Sequence, residues 1–223
     1  MRFPNAFGGV KKIWIAEILS LIGAAFGLIA AFMAIGTVGM AAAAGEAGTD
    51  AAVGAALGGA LMGGMGMAAL TLVAGIIGIV ALIIELVGLN QAGKDEINFK
   101  RGFYAALIGL VVSVVAAALR SNNVLYTIFS IANTVIQIFI LYSVVQGVRT
   151  LAEQMGNQEM VARSDTLFKL GVVFYGVSLL ASIIGLFAVT LSAILSIVAA
   201  VASIVLYILY LSYLGKAKNM LAA

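Results

Sequence analysis

Long apolar runs separated by short polar segments make up most of this chain. Six runs reach the length of about 20 residues that an α-helix needs to cross a bilayer. They cover residues 13–36, 67–89, 102–119, 124–147, 169–189 and 192–214. Residues 170–214 carry no charge, and a single helix of that length would measure about 67 Å, roughly twice the hydrocarbon thickness. We therefore predict a turn around Thr190 and Ser192, and six transmembrane helices in all.

The polar segments between the runs predict the connections. Arg120–Asn123 forms a tight turn, whereas residues 91–101 and 149–169 supply longer polar loops. Asn98 and Asp165 precede the next apolar runs and are predicted to cap them. We expect Asp95 and Glu96, the only adjacent acidic pair, to be solvated in the first of these long loops.

Basic residues are distributed unevenly between the two sides that six crossings define. Eleven lie on one side and Arg120 alone lies on the other. By the positive-inside rule both termini are then cytoplasmic. The eleven are Arg2, Lys11, Lys12, Lys94, Lys100, Arg101, Arg149, Arg163, Lys169, Lys216 and Lys218. The first apolar run exceeds the 7–15 residues of a signal-peptide core, so we expect it to be a retained span.

Composition supports the same class. Hydrophobic residues make up 64% of the 223 positions and charged residues 9%, whereas soluble domains have about a quarter of their residues charged. The mean hydropathy is +1.19. The net charge of +3 is spread singly along the chain, which argues against a nucleic-acid surface. The sequence thus predicts an all-α integral membrane protein.

A weak internal repeat divides the chain into hairpins. The motif FKRG at 99–102 recurs as FKLG at 168–171, and ILYSVVQG at 140–147 recurs as ILYLSYLG at 208–215. Extending the alignment matches Lys11 with Lys100 and Lys169, and Gly88 with Gly147 and Gly215. We predict three parallel helical hairpins, at 10–94, 98–152 and 167–218, within one membrane domain covering residues 1–223.

The first hairpin contains an extra glycine- and alanine-rich insert at residues 37–66, which faces the outside in this topology. One interpretation is a low-complexity loop, because ordering many glycines is costly. The other is a re-entrant or interfacial hairpin, because Gly54 and Gly58 form a small-xxx-small pattern. Gly23 and Gly27 form a GxxxG pattern on the first span, and we predict that all four glycines mediate helix packing.

Two carboxylates lie inside predicted spans, Glu17 in the first and Glu85 in the second. Glu17 follows Lys12 by about 7–8 Å of helix rise, and Glu85 precedes Lys94 by about 13 Å. Both therefore lie in the cytoplasmic half of the predicted spans. Charged groups inside a bilayer are costly and often functional. Glu85 and Glu17 are therefore candidates for a proton or cation site. The alternatives are a headgroup contact for Glu17 and a structural hydrogen bond for Glu85.

Two polar stripes run along the fourth and sixth spans at helical spacing. We expect these faces to turn inward, either to form interhelical hydrogen bonds or to line a wetted cavity near Glu85. The cavity candidates are Tyr126, Ser130, Asn133 and Gln137 on span four, and Ser203, Tyr207 and Tyr210 on span six. Trp14, Tyr104 and Tyr213 are expected in an aromatic belt at the cytoplasmic interface.

The functional hypotheses follow from these features. The chain has no cysteine and no histidine and no nucleotide or metalloprotease motif, so we predict no enzyme, metal site or cofactor. The first hypothesis is a small transporter or channel-like protein of the cell membrane. The arrangement of its predicted spans is typical of small proteins of the bacterial plasma membrane. The alternative is a non-transporting scaffold or accessory subunit. Its partners would be the lipid bilayer and a second copy or another membrane protein, bound through small-residue helix faces.

Overall fold

The computed structural model describes the backbone of residues 2–47, 50–119, 121–185 and 189–222. It describes the side chains of residues 2–30, 33, 66–119, 121, 122, 124–180, 183, 184, 202 and 204–222. This part of the chain contains six helices and no strand. The helices are α1 (Pro4–Ala47), α2 (Asp50–Ala92), α3 (Ile97–Ala118), α4 (Asn123–Gln154), α5 (Gln158–Gly185) and α6 (Val189–Ala222).

Four segments of the described residues are long and apolar enough to cross a membrane. They are Pro4–Ala30, Gly66–Ala92, Ile97–Ala118 and Val124–Gln154. Large apolar side chains in these segments are exposed, as illustrated by Leu72, Val111 and Val114, each at least 60% exposed. Such a surface suits contact with lipid rather than with water. The prediction of an all-helical protein with membrane-spanning segments is confirmed to this extent.

The glycine- and alanine-rich insert is helical where its backbone is described. Helix α1 continues to Ala47 and α2 begins at Asp50, so the loop interpretation of residues 37–66 is wrong for most of that backbone. Alanine has the highest helix propensity, and a helix satisfies its backbone hydrogen bonds within the segment. At 44 residues, α1 has a contour length of about 66 Å. The side-chain environment of Gly54 and Gly58 lies outside the described residues.

The predicted long loop at 149–169 is mostly helix. Helix α4 ends in a Schellman motif, in which Asn157 N–H donates to the Ala152 carbonyl at 2.9 Å and Gly156 N–H donates to the Glu153 carbonyl at 3.1 Å. Gly156 has a φ of +70°, the left-handed conformation that this motif requires. The Asn157 side chain then accepts from Met160 N–H at 3.0 Å and caps α5.

The predicted helix boundaries therefore need three corrections. Helix α3 is capped by Glu96, whose side chain accepts from Asn98 N–H, so Asn98 is not the cap. Asp165 lies inside α5, because the polar segment before it is already helical. Helix α5 ends at Gly185 and α6 begins at Val189, so the predicted turn at Thr190 and Ser192 falls within α6.

The chain divides into two compact units. One contains Ile15–Ile84, the middle of the first hairpin, and the other contains Met1–Trp14 with Glu85–Ala223. The second unit is built around an apolar cluster that we call the Phe99 core. Its fully enclosed members, each 1% exposed or less, include Val10, Ile13, Leu89, Phe99, Val144, Val148, Leu151, Leu214 and Leu221.

Glycines allow the helices around the Phe99 core to approach closely. A Cβ atom at Gly9 of α1 would lie 2.5 Å from the Gly88 carbonyl oxygen of α2, and one at Gly147 of α4 would lie 2.7 Å from the Phe99 ring. These distances are too short for any other residue type without movement. The Lys218 ammonium of α6 lies 4.1 Å from the ring centroid of Trp14 in α1, a cation–π contact between the first and last helices.

Candidate functional site

Both candidate carboxylates lie within segments long and apolar enough to span a membrane. Glu17 is in Pro4–Ala30 and Glu85 is in Gly66–Ala92. Each is partly buried, and each makes a polar or electrostatic interaction within the protein. They belong to different compact units, Glu17 to the middle of the first hairpin and Glu85 to the unit that contains the Phe99 core. Their position inside apolar helices is the feature that the sequence predicts.

The polar stripe on α4 contains both exposed and partly buried side chains. Tyr126 is 38% exposed, Gln137 is also exposed, and Ser130 and Asn133 are partly buried. The Asn133 Oδ1 atom is buried without a hydrogen-bond partner. It faces α3, because a Cβ atom at Gly109 would lie 3.7 Å from it. A buried carbonyl oxygen without a donor costs about 1–3 kcal/mol of stability. Among the described side chains of this stripe, Asn133 is the one with a buried polar atom that lacks a hydrogen bond.

The stripe on α6 is partly described. Tyr207 and Tyr210 are partly buried and both interact with other groups of the protein. Tyr210 also packs against the Phe99 core. Ser203 lies outside the residues whose side chains are described. The two tyrosines therefore face protein rather than lipid along at least part of their surface.

The predicted packing glycines of α1 differ from one another. A Cβ atom at Gly23 would lie 3.3 Å from Ile77 Cγ2 and 3.5 Å from the Ala74 carbonyl oxygen, both in α2. A Cβ atom at Gly27 would have no neighbour within 4 Å. The closest approach of α1 and α2 among the described glycines is instead at Gly9 and Gly88, a pair that sequence reasoning missed because the two glycines are distant along the chain.

Asp95 joins the start of α1 to the α2–α3 connection, contrary to the expectation of a solvated loop residue. Its Oδ2 accepts from Ala6 N–H at 2.7 Å and its Oδ1 accepts from Asn5 Nδ2 at 2.8 Å. Lys12 Nζ donates to Gln91 Oε1 at 2.6 Å nearby. A carboxylate at a helix N-terminus satisfies a free N–H group and interacts favourably with the helix dipole. Asp95 therefore acts as a cap supplied from outside α1.

Replacing Asp95 with alanine should expose the first turn of α1 to solvent exchange. The substitution removes the acceptor of Ala6 N–H, which should cost about 0.5–2 kcal/mol of stability. Hydrogen exchange followed by mass spectrometry should show lost protection at residues 5–10, with α4 unchanged. Asp95→Asn keeps one carbonyl acceptor and should lose less protection. Equal protection in wild type and Asp95→Ala would show that the cap does not hold this turn.

A buried polar pair joins α5 to α6. The Ser164 hydroxyl is 2.7 Å from the Tyr213 hydroxyl and donates to the Met160 carbonyl at 2.8 Å. Ser164 is fully buried and Tyr213 is 5% exposed, so Tyr213 does not lie in the interfacial aromatic belt that the sequence suggests. The buried hydroxyls satisfy each other, as buried polar groups must. The pair fixes the register of α5 against α6.

A surface groove of about 360 Å³ lies between α5 and α6 beside this pair. Its floor is apolar and includes Leu167, Leu170 and Tyr213, whereas Glu159, Arg163 and Ser212 contribute polar atoms. Among these lining residues, the sequence predicts a position in an interfacial aromatic belt only for Tyr213. It does not predict a groove. Among the described residues, no three histidine, cysteine, aspartate or glutamate side chains are grouped to hold a metal ion.

Comparisons with known proteins identify no relative. No protein-family model, no curated protein and no solved structure matches the chain. The residues themselves are therefore the basis for inferring function. Three features bear on it most directly: the position of the two carboxylates, the closed packing of the Phe99 core and the groove between α5 and α6.

Proposed function

We propose that this protein is a six-span membrane protein that moves a proton or a cation with the help of Glu85 and Glu17. The four apolar segments that could span a membrane support the class. Helix α5 contains residues 169–185 of the fifth predicted span, and α6 contains the sixth, at 192–214. Helix α4 packs on α5, and α5 packs on α6. With six crossings, the distribution of basic residues favours cytoplasmic termini, and we propose the plasma membrane as the location.

Equivalent contacts support the proposal of hairpin repeats in the first two hairpins. Gly88 and Gly147 are paired in the repeat alignment, and each contacts the preceding helix of its own hairpin closely. Gly88 meets Gly9 and Ile13, and Gly147 meets Phe99. The third equivalent, Gly215, has Trp14 of α1 as its nearest neighbour, 3.5 Å from the position that a Cβ atom there would take. The first two hairpins thus share a close glycine contact within the hairpin, whereas the equivalent glycine of the third hairpin lies nearest to α1.

The transport proposal depends mainly on one observation, the partly buried Glu85 carboxylate within an apolar segment that could span a membrane. Insertion of such a carboxylate costs about 2.5–3.5 kcal/mol at the centre of a helix. Protonation or a bound cation lowers that cost, in addition to the interaction that Glu85 makes within the protein, and we propose that the group binds and releases a proton or a cation in this way. The enclosed Phe99 core would then be the closed cytoplasmic end of the path.

The same core favours the second candidate, a non-transporting scaffold or accessory subunit. Nine large or medium apolar side chains at this end are 1% exposed or less, and a dry, packed interior is what a structural role requires. Exposed apolar faces on α2 and α3 would then bind lipid, a second copy or another membrane protein. Only a flux measurement separates these two functions directly.

Flux through proteoliposomes should depend on Glu85. We expect wild-type protein to conduct protons or a small cation, and Glu85→Gln at matched reconstitution to fall to the background of empty vesicles, because the amide cannot exchange a proton or balance a cation. Ion-sensitive dyes would record the flux at both signs of membrane potential. Glu153→Gln is the matched control, since Glu153 is exposed and pairs with Arg149 outside the predicted spans.

Three outcomes separate the hypotheses. Flux lost in Glu85→Gln and kept in Glu153→Gln supports the proposal. Flux that survives in Glu85→Gln would retain transport but remove Glu85 from the path. Absence of flux in the wild type, across several ions, would contradict transport and favour the scaffold.

A further inference from the structure

The groove between α5 and α6 has an apolar floor built from both helices. Leu167 and Tyr213 are 4% and 5% exposed and form its base, while Leu209 is 41% exposed at its side. The Ser164–Tyr213 hydrogen bond holds the two helices at a fixed register beneath it. The volume of about 360 Å³ falls in the range of about 300–1,000 Å³ that is usual for sites of small molecules.

One end of the groove is polar and carries one acidic and one basic side chain. Arg163 forms a salt bridge with Glu159, in which Nε and Nη2 donate to the same oxygen at 2.9 and 2.8 Å. The pair is solvent-accessible, with the two side chains 43% and 74% exposed. Thr166 and Ser212 add hydroxyl groups along the rim. Lys216 is exposed and follows Ser212 by one helical turn on α6, so a second basic group lies next to this end of the groove, outside its lining.

The groove crosses the boundary between the polar and the apolar parts of α5. Glu159 and Arg163 precede the predicted fifth span, which starts at residue 169, whereas Leu170 lies within it. On α6, Leu209 lies within the predicted sixth span and Lys216 follows it. One end of the groove is therefore at the level of lipid headgroups and the other at the level of the first acyl carbons.

We propose that the groove binds an anionic phospholipid of the cytoplasmic leaflet. The phosphate contacts Arg163 in competition with Glu159, and the Ser212 hydroxyl donates to one of its oxygens. The acyl chain lies along Leu167, Leu170 and Leu209. Basic pockets between membrane helices on the cytoplasmic side bind such headgroups through charge, and the planar guanidinium suits phosphate. The proposal depends on the six-span orientation proposed above but not on ion movement by Glu85.

The order of polar and apolar groups along the groove favours a lipid over a peptide. A peptide helix would have to displace surrounding lipid from Leu170 and Leu209, whereas a phospholipid already presents phosphate above acyl carbon at this depth. The salt bridge between Arg163 and Glu159 allows a test of direction, because the Glu159 carboxylate competes with the lipid phosphate for Arg163. Removing Arg163 and removing Glu159 should therefore change lipid affinity in opposite directions.

The experiment uses the purified full chain in a neutral detergent, titrated with phosphatidylglycerol or phosphatidylcholine and followed by native mass spectrometry. Arg163→Gln should weaken the apparent affinity for phosphatidylglycerol about fivefold, as expected for one basic contact. Glu159→Gln should strengthen it. Ser212→Trp should fill the groove and abolish binding while all charges remain. Lys94→Gln, an exposed basic residue outside the groove, is the matched control and should bind as wild type does.

The outcomes are decisive because binding is measured without an ion gradient and independently of flux. Opposite shifts in Arg163→Gln and Glu159→Gln, with weak binding of phosphatidylcholine, support the proposal. Equal affinity for the two lipids, or equal effects of Arg163→Gln and Lys94→Gln, would overturn it. Competition by inorganic phosphate or glycerol phosphate alone at similar affinity would identify a soluble anion site instead and would also overturn it. Thermal unfolding without lipid checks that each variant is folded.

Discussion

Gly9→Ala is expected to destabilise the protein by about 3 kcal/mol, the upper end of the usual cost of overpacking. A β-carbon there would lie 2.5 Å from the Gly88 carbonyl oxygen and 2.6 Å from the Ala92 backbone nitrogen. Both neighbours are main-chain atoms of α2, so no side-chain rotation can relieve the contact. The helices would have to separate, which would loosen Val10 and Ile13 in the Phe99 core.

Thermal unfolding in detergent, followed by circular dichroism, would measure this loss. Gly27→Ala is a matched control in the same helix, because a β-carbon there has no neighbour within 4 Å. It should stabilise α1 by about 0.5–1 kcal/mol, the helix advantage of alanine over glycine. A similar midpoint for Gly9→Ala and wild type would mean that α1 and α2 do not cross as closely as described.

Phe99→Ala is expected to cost about 3–5 kcal/mol, the range for removing a buried aromatic side chain. Phe99 is fully buried, and its ring lies against Gly147, where a β-carbon would be 2.7 Å away. Gly147 has no side chain that could rotate into the space left by the ring. The cavity would therefore stay open between α3 and α4 unless these helices moved.

The cost should be measurable by unfolding in mixed detergent and compared with Phe139→Ala. Phe139 lies on α4 and is 44% exposed, so its removal should cost roughly 1 kcal/mol. A further test adds alanine at position 147. Gly147→Ala should be harmful in the wild type and better tolerated beside Phe99→Ala, because the three atoms nearest to a β-carbon at Gly147 are all carbons of the Phe99 ring. Additive effects of the two changes would contradict this packing.

The apolar periodicity of the sequence predicts the long apolar helices better than the helical segments that are polar. Runs of the required length locate the cores of α1 to α4 correctly, because the bilayer imposes a minimum apolar length. The polar start of α5 is predicted as loop because periodicity alone does not distinguish a solvated helix. The spacing of Glu159 and Arg163, and of Arg149 and Glu153, is a helical i,i+4 signal that identifies these turns.

The candidate sites show the same division between local and non-local information. Glu17 and Glu85 are visible in the sequence because a carboxylate stands out in an apolar run. The groove between α5 and α6 is not visible, since it depends on the register that places Leu167 beside Tyr213. The cap of α1 by Asp95 joins residues 89 positions apart. Helix propensity and hydropathy contain no information on such pairings.

The contact of Trp14 with Lys218 has a consequence for biosynthesis. These residues are separated by nearly the whole of the described chain, so they can meet only after α6 has been synthesised. At about 5–20 residues per second, translation of the intervening chain takes at least about 10 s. During that interval the Trp14 face of α1 is open to lipid, chaperones or the insertion machinery. Of the six described helices, α1 is thus synthesised first and is among the last to complete its contacts.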